Sequence, residues 1–121
     1  MKTIKTRFIP KLLSLPTRFQ PYTHVDDVLR YAARGDRMAV DVIARSFGEA
    51  LLHEAKSELG RDFEEEARDV VQDFLVSLLA GGIDITPARG RAIPWMRGVV
   101  RAMARKHRAA LDSGWAIDRE P

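Results

Sequence analysis

Apolar residues along this chain recur at helical spacing and show no alternating run, so the pattern predicts helices and no strand. Thr23 is placed to cap a first helix that runs to about Ala33. Asp26 follows three positions later, and Gly35 can supply the left-handed residue that ends the helix. Asp36 is the next cap. The helix after it carries Ala39, Ile43, Phe47, Ala50 and Leu51 at helical spacing and runs to about Leu59, where Gly60 stops it. Asp62 and Glu65 form an Asp-x-x-Glu capping box for a third helix, which reaches about Ala80 before Gly81-Gly82. Residues 81–92 read as a loop of turn residues. Pro94 suits the first turn of a fourth helix, because its missing N–H costs nothing there. That helix extends to about Leu111, and Ser113-Gly114 end it.

The resulting fold class is all-α, a compact bundle of about four helices. Residues 1–22, with Pro10, Pro16 and Pro21 and little periodicity, read as an arm with a short helical turn near Leu12. The helical domain spans 23–112, and 113–121 read as a loose tail. The expected core includes Ile43, Phe47, Val70, Phe74, Leu78, Trp95, Val99 and Met103.

Two helices have outward faces with distinct chemistry. On a wheel of about 100° per residue, the third helix gathers Phe63, Ala67, Val70, Val71, Phe74 and Leu78 on one side. Glu65, Asp69, Gln72, Asp73 and Val76 fall opposite. Such an acidic face is commonly just solvated. The valine among carboxylates also fits an apolar anchor within a polar rim, the usual build of a protein interface. On the fourth helix Arg97, Arg101, Arg105 and Arg108 fall within an arc of roughly 80°. Trp95, Met96, Val99, Val100, Met103 and Leu111 lie broadly opposite. Arginine forks match phosphate oxygens, so this stripe suits a nucleic-acid backbone. The competing reading is a solubilising face paired with acids elsewhere in the fold, since the helix holds no acid for an i, i+4 pair.

Composition narrows the function classes. The chain has 121 residues, enough for one ordinary domain, with a net charge of +3. The charge is segregated: acids dominate from Glu58 to Asp73, and none occurs from Arg89 to Arg108. That pattern concerns partners more than fold. There is no cysteine, which excludes disulfides, thiolate metal sites and a cysteine nucleophile, and suits a cytoplasmic setting. No apolar run reaches the roughly 18 residues of a membrane span, and the basic N-terminus lacks a small-residue cleavage site. The histidines are isolated. The serines lack a Gly-x-Ser-x-Gly context, and no glycine-rich phosphate loop occurs. The expectation is therefore a protein that is not an enzyme and uses no cofactor or metal.

Three segments carry a resemblance to a known family. They are Arg34-Gly35-Asp36 opening a long helix, the run from Glu66 through Asp69-Val70-Val71-Gln72-Asp73 to Leu75, and Trp95-Met96-Arg97-Gly98-Val99-Val100-Arg101. In this order and spacing they resemble region 2 of bacterial RNA polymerase sigma factors, the extracytoplasmic-function type most closely, over about residues 25–111. The resemblance implies that Asp69, Gln72 and Asp73, with Val76 at the place of a family leucine, dock on the clamp helices of the largest subunit of RNA polymerase core. It also implies that the loop bearing Arg89 and Arg91, and the stripe of Arg97, Arg101, Arg105 and Arg108, face the minus-ten element of promoter DNA. The chain departs from the family at Ala102 and Lys106, where the family has Asn and Asp, and its loop is poor in aromatics. The family's second DNA-binding domain does not follow, so weak promoter binding is expected for want of a tethered second module. The alternative is a sigma mimic that binds an anti-sigma factor or polymerase without reading DNA. One piece of a split factor, completed by a second sigma subunit, also fits.

Overall fold

The computed structural model describes residues 24–118, and side chains as far as Ser113. The arm over 1–22 and its turn near Leu12 lie outside the described residues, while the N-cap of the first helix is His24, with no side-chain cap bond, rather than the expected Thr23. Four helices pack together: α1 (Val25–Ala33), α2 (Arg37–Leu59), α3 (Glu64–Leu79) and α4 (Ala92–Asp118). Two short 3-10 turns, Arg61–Phe63 and Thr86–Ala88, precede α3 and α4, and no strand forms among the described residues. The helix α2 is the central element, with α1, α3 and α4 arranged on it.

Local chemistry sets most of the helix ends. The Asp36 Oδ1 accepts from the amides of Met38 (2.9 Å) and Ala39 (3.3 Å), which fixes the start of α2. At the end of α1 the Gly35 N–H reaches the Ala32 carbonyl and the Asp36 N–H the Tyr31 carbonyl, a Schellman closure. Gly35 adopts φ +94°, which a side chain would strain, and a Cβ there would sit 3.7 Å from the Leu79 carbonyl. The end of α3 repeats the closure, with Gly81 N–H to Leu78 O and Gly82 N–H to Ser77 O. The two turns are neighbours, and in both it is the positive φ rather than lack of space that calls for glycine.

Two further expected boundaries are corrected. Asp62 does not cap α3. The chain from Arg61 to Phe63 tightens into a 3-10 turn, and Phe63 precedes α3 without a side-chain cap bond. The fourth helix begins at Ala92, which puts Pro94 in its first turn as expected. It continues through Ser113-Gly114 to Asp118, so 113–118 are helix rather than loose tail. One glycine costs a helix about 1 kcal/mol, too little to stop one already propagating.

The core is a continuous cluster in which Ile43, Val70, Phe74 and Leu78 are buried as expected, alongside Val28, Leu29, Leu51 and Leu59. Phe47 is only half-buried and Ala50 is exposed. The larger correction is on α4. Trp95, Val99 and Met103 flank the core, half-buried. The fully buried row is Ala92, Met96, Val100 and Ala104, one position along, or roughly 100° round the helix. The Trp95 ring meets Phe74 at a centroid distance of 6.2 Å and a tilt of 58°, within the range of favourable aromatic pairs.

Phe74 is fully buried in the core cluster and meets the Trp95 ring. Phe74→Ala is expected to destabilise by about 3–5 kcal/mol. Urea unfolding followed by circular dichroism measures it, and a loss below about 1 kcal/mol would contradict the packing described.

Candidate functional site

The outward face of α3 emerges as expected. Asp69, Gln72, Asp73 and Val76 are all exposed, and Glu65 stands with them. Val76 is 58% exposed, the most exposed large hydrophobic side chain among the described residues. Ala67, Val70, Val71, Phe74 and Leu78 hold the opposite side of the same helix in the core, so the face is rigidly presented. At the start of α3, Glu64 accepts from Lys56 (3.0 Å) and Arg68 (2.9 Å). The Lys56 contact first, and then Arg68, lowers its pKa below the ordinary glutamate value. Asp69 and Asp73 make no ion pair with any described residue.

The arginine row of α4 is arranged differently from a free cationic strip. Glu54 of α2 stands between two of its members. The Oε1 accepts from Arg97 Nε and Nη2, both at 3.0 Å. The Oε2 accepts from Arg101 Nη2 at 3.0 Å and Nε at 3.3 Å. One turn further along α2, Glu58 Oε1 accepts from Arg105 Nε at 2.7 Å, and its backbone carbonyl accepts from Arg108 Nη1 at 2.9 Å. All four arginines are thereby engaged by α2, the arrangement in which the stripe pairs with acids elsewhere in the fold. The pairing is not a burial of the arginines: the side chains of Arg97, Arg101 and Arg105 keep 48%, 42% and 66% exposure.

Glu54 is the one buried charged residue among those described, with only 10% of its side chain exposed. A carboxylate so enclosed is costly unless paired. The hydrogen bonds from Arg101 first, and then from Arg97, hold its pKa below the ordinary glutamate value against the opposing effect of burial. Neither Glu54 nor Glu58 stood out in the sequence as a partner of the stripe. One signal was present: Glu54 lies three residues from Leu51 and beside Ala55, on the buried side of α2. An acid there needs a cation from a neighbouring helix.

The loop ahead of α4 carries Arg89 and Arg91, both exposed and without an ion-pair partner among the described residues. Its position is pinned from α1: the Gly90 N–H donates to Asp26 Oδ2 at 3.1 Å, and Gly90 takes φ +77° to make the turn. Earlier in the loop, Asp84 Oδ1 accepts from the Thr86 amide at 3.0 Å, and hydrogen bonding to Thr86 lowers the Asp84 pKa. The described residues hold no cluster of His, Cys, Asp and Glu that could bind a metal ion. No helix among them is long and apolar enough to cross a membrane. Compared with known proteins, the chain matches no family model, no curated protein and no solved structure.

The Glu54 pairing predicts a pH dependence of stability. A carboxylate with a depressed folded-state pKa stabilises fully above its unfolded value, about 4.3, and loses that contribution as pH falls through the folded value. Removing Glu54 frees two arginines that are already half in water, so the loss falls short of that for a fully enclosed pair. Glu54→Gln is expected to cost about 1–2 kcal/mol at pH 7. Chemical unfolding at a series of pH values should show the gap from wild type narrowing between about pH 5 and 3. A gap that stays constant across that range would contradict the ionic role.

Proposed function

We propose that this chain is a sigma-region-2-like domain that docks on the clamp helices of the largest subunit of RNA polymerase core through α3, and so influences transcription initiation. The observation that carries the reading is the α3 face. Asp69, Gln72, Asp73 and Val76 stand exposed together, and neither aspartate makes an ion pair among the described residues. Exposed carboxylates around an accessible apolar side chain have the chemistry of a polar-rimmed interface. They are also the residues to which the family resemblance assigns docking.

Two versions of the proposal differ over DNA. In the first, the domain is an initiation factor whose contacts to the minus-ten element come from Arg89 and Arg91, and from the outer nitrogens of Arg97, Arg101, Arg105 and Arg108. In the second, it is a mimic that binds polymerase or an anti-sigma factor without reading DNA. The engagement of the four α4 arginines by Glu54 and Glu58 favours the second, because those forks already have carboxylate and carbonyl partners. The exposure of Arg89 and Arg91 supports the first.

The docking claim is tested by co-elution with bacterial core polymerase. The wild-type chain is expected to co-elute. A double charge reversal, Asp69→Arg with Asp73→Arg, is expected to abolish co-elution while changing stability by no more than about 0.5 kcal/mol per site, as for surface substitutions generally. Binding that survives both reversals would rule out this face.

A further inference from the structure

The contacts between α2 and α4 point to a device that neither version of the function contains. We propose that Glu58 acts as a built-in stand-in for a phosphate, and that Arg105 and Arg108, at the open end of the α4 row, are a site for a single-stranded nucleic-acid backbone in exchange with it. The inference rests on reading this row as facing nucleic acid, and it is independent of docking through α3.

The chemistry of exchange is direct. A guanidinium binds a carboxylate and a phosphate through the same N–H donors. Arg97 and Arg101 each direct two nitrogens at Glu54, and Arg105 directs Nε at Glu58. Four cations meet two carboxylates here, so the row remains net positive while paired. Arg97, Arg101 and Arg105 repeat every four residues, which places one fork per turn, about 6 Å apart along a single helix face.

The two ends of the row differ in access. Glu54 is enclosed. Glu58 has 24% of its side chain exposed, and its partner Arg105 is the most exposed of the three ion-paired arginines of the row. Exchange therefore begins at Glu58, where a phosphate can reach Arg105 and Arg108 without opening the α2–α4 seam. The Glu54 end stays closed and keeps α4 in place. The carboxylate of Glu58 opposes binding both by occupying Arg105 and by repelling an incoming phosphate.

The test uses a short fluorescently labelled single-stranded DNA oligonucleotide and no polymerase, so its failure leaves the α3 docking reading intact. Glu58→Gln is expected to bind about threefold more tightly than wild type, the effect of removing one unit charge roughly 6 Å from a phosphate in water. The salt dependence of binding should steepen by somewhat under one unit, for one additional phosphate contact. Adding Arg105→Ala should cancel the gain. Thermal melts by circular dichroism confirm that the variants are folded. In the unmodified protein, the Nε–H resonance of Arg105 should shift on titration with the oligonucleotide, while that of Arg101, held at the closed Glu54 end, should not. A folded Glu58→Gln chain that binds no more tightly than wild type would overturn the proposal. A gain that persists without Arg105, or an Arg105 resonance that does not move, would overturn it equally.

Discussion

Glu54 lies within the α2–α4 seam, where its charge is tolerable only with a cation on each oxygen. Arg97 and Arg101 provide those cations from successive turns of α4, and the orientation of α4 follows. If Trp95, Val99 and Met103 faced the core squarely, the two arginines would swing toward solvent and leave a buried carboxylate unpaired. The observed orientation puts Met96, Val100 and Ala104 in the core and sets the arginines on its flank. Trp95 is turned onto Phe74 of α3, which ties the third helix into the same arrangement. One buried acid thus accounts for the facing of a 27-residue helix and for the half-burial of an aromatic that would ordinarily lie inside.

The charges on the two outward faces consequently have different standing. On α4 the cations are structural first, and any external anion must compete with α2 for them. On the outward face of α3 the acids do no comparable work: Asp69 and Asp73 make no ion pair among the described residues, and Val76 contributes its surface to solvent rather than to the core. A surface that the fold does not need and that carries an exposed apolar side chain is the more economical place for a partner. This asymmetry is why docking through α3 leads the functional proposal and DNA contact follows it.

Much of the fold was legible because it is set by local chemistry. The Asp36 cap, the left-handed Gly35 and the Gly81-Gly82 closure all act within a few residues, and each appears where the sequence placed it. The α3 wheel was also read correctly, because a helix with five buried apolar residues on one side has one orientation that buries them. The failures share a cause. The Asp62 capping box has the right residues, but the chain from Gly60 tightens into a 3-10 turn first. The α4 wheel rightly put Met96 and Val100 on its apolar side, but the core expected at Trp95, Val99 and Met103 was misjudged, because periodicity within one helix cannot weigh a carboxylate on another. Glu54 and Arg101 are 47 residues apart, and only the tertiary fold brings them together.

A double-mutant cycle between Glu54→Gln and Arg101→Ala tests this account most directly, because it isolates the pairwise contribution from the other losses of each substitution. With one partner enclosed and the other half in water, unfolding free energies at pH 7 should give a coupling of about 1–2 kcal/mol. High salt should reduce it only in part, since the carboxylate is shielded from solvent. A coupling within about 0.3 kcal/mol of zero would mean that the pair does not hold α4 in place, and would contradict the account at its centre.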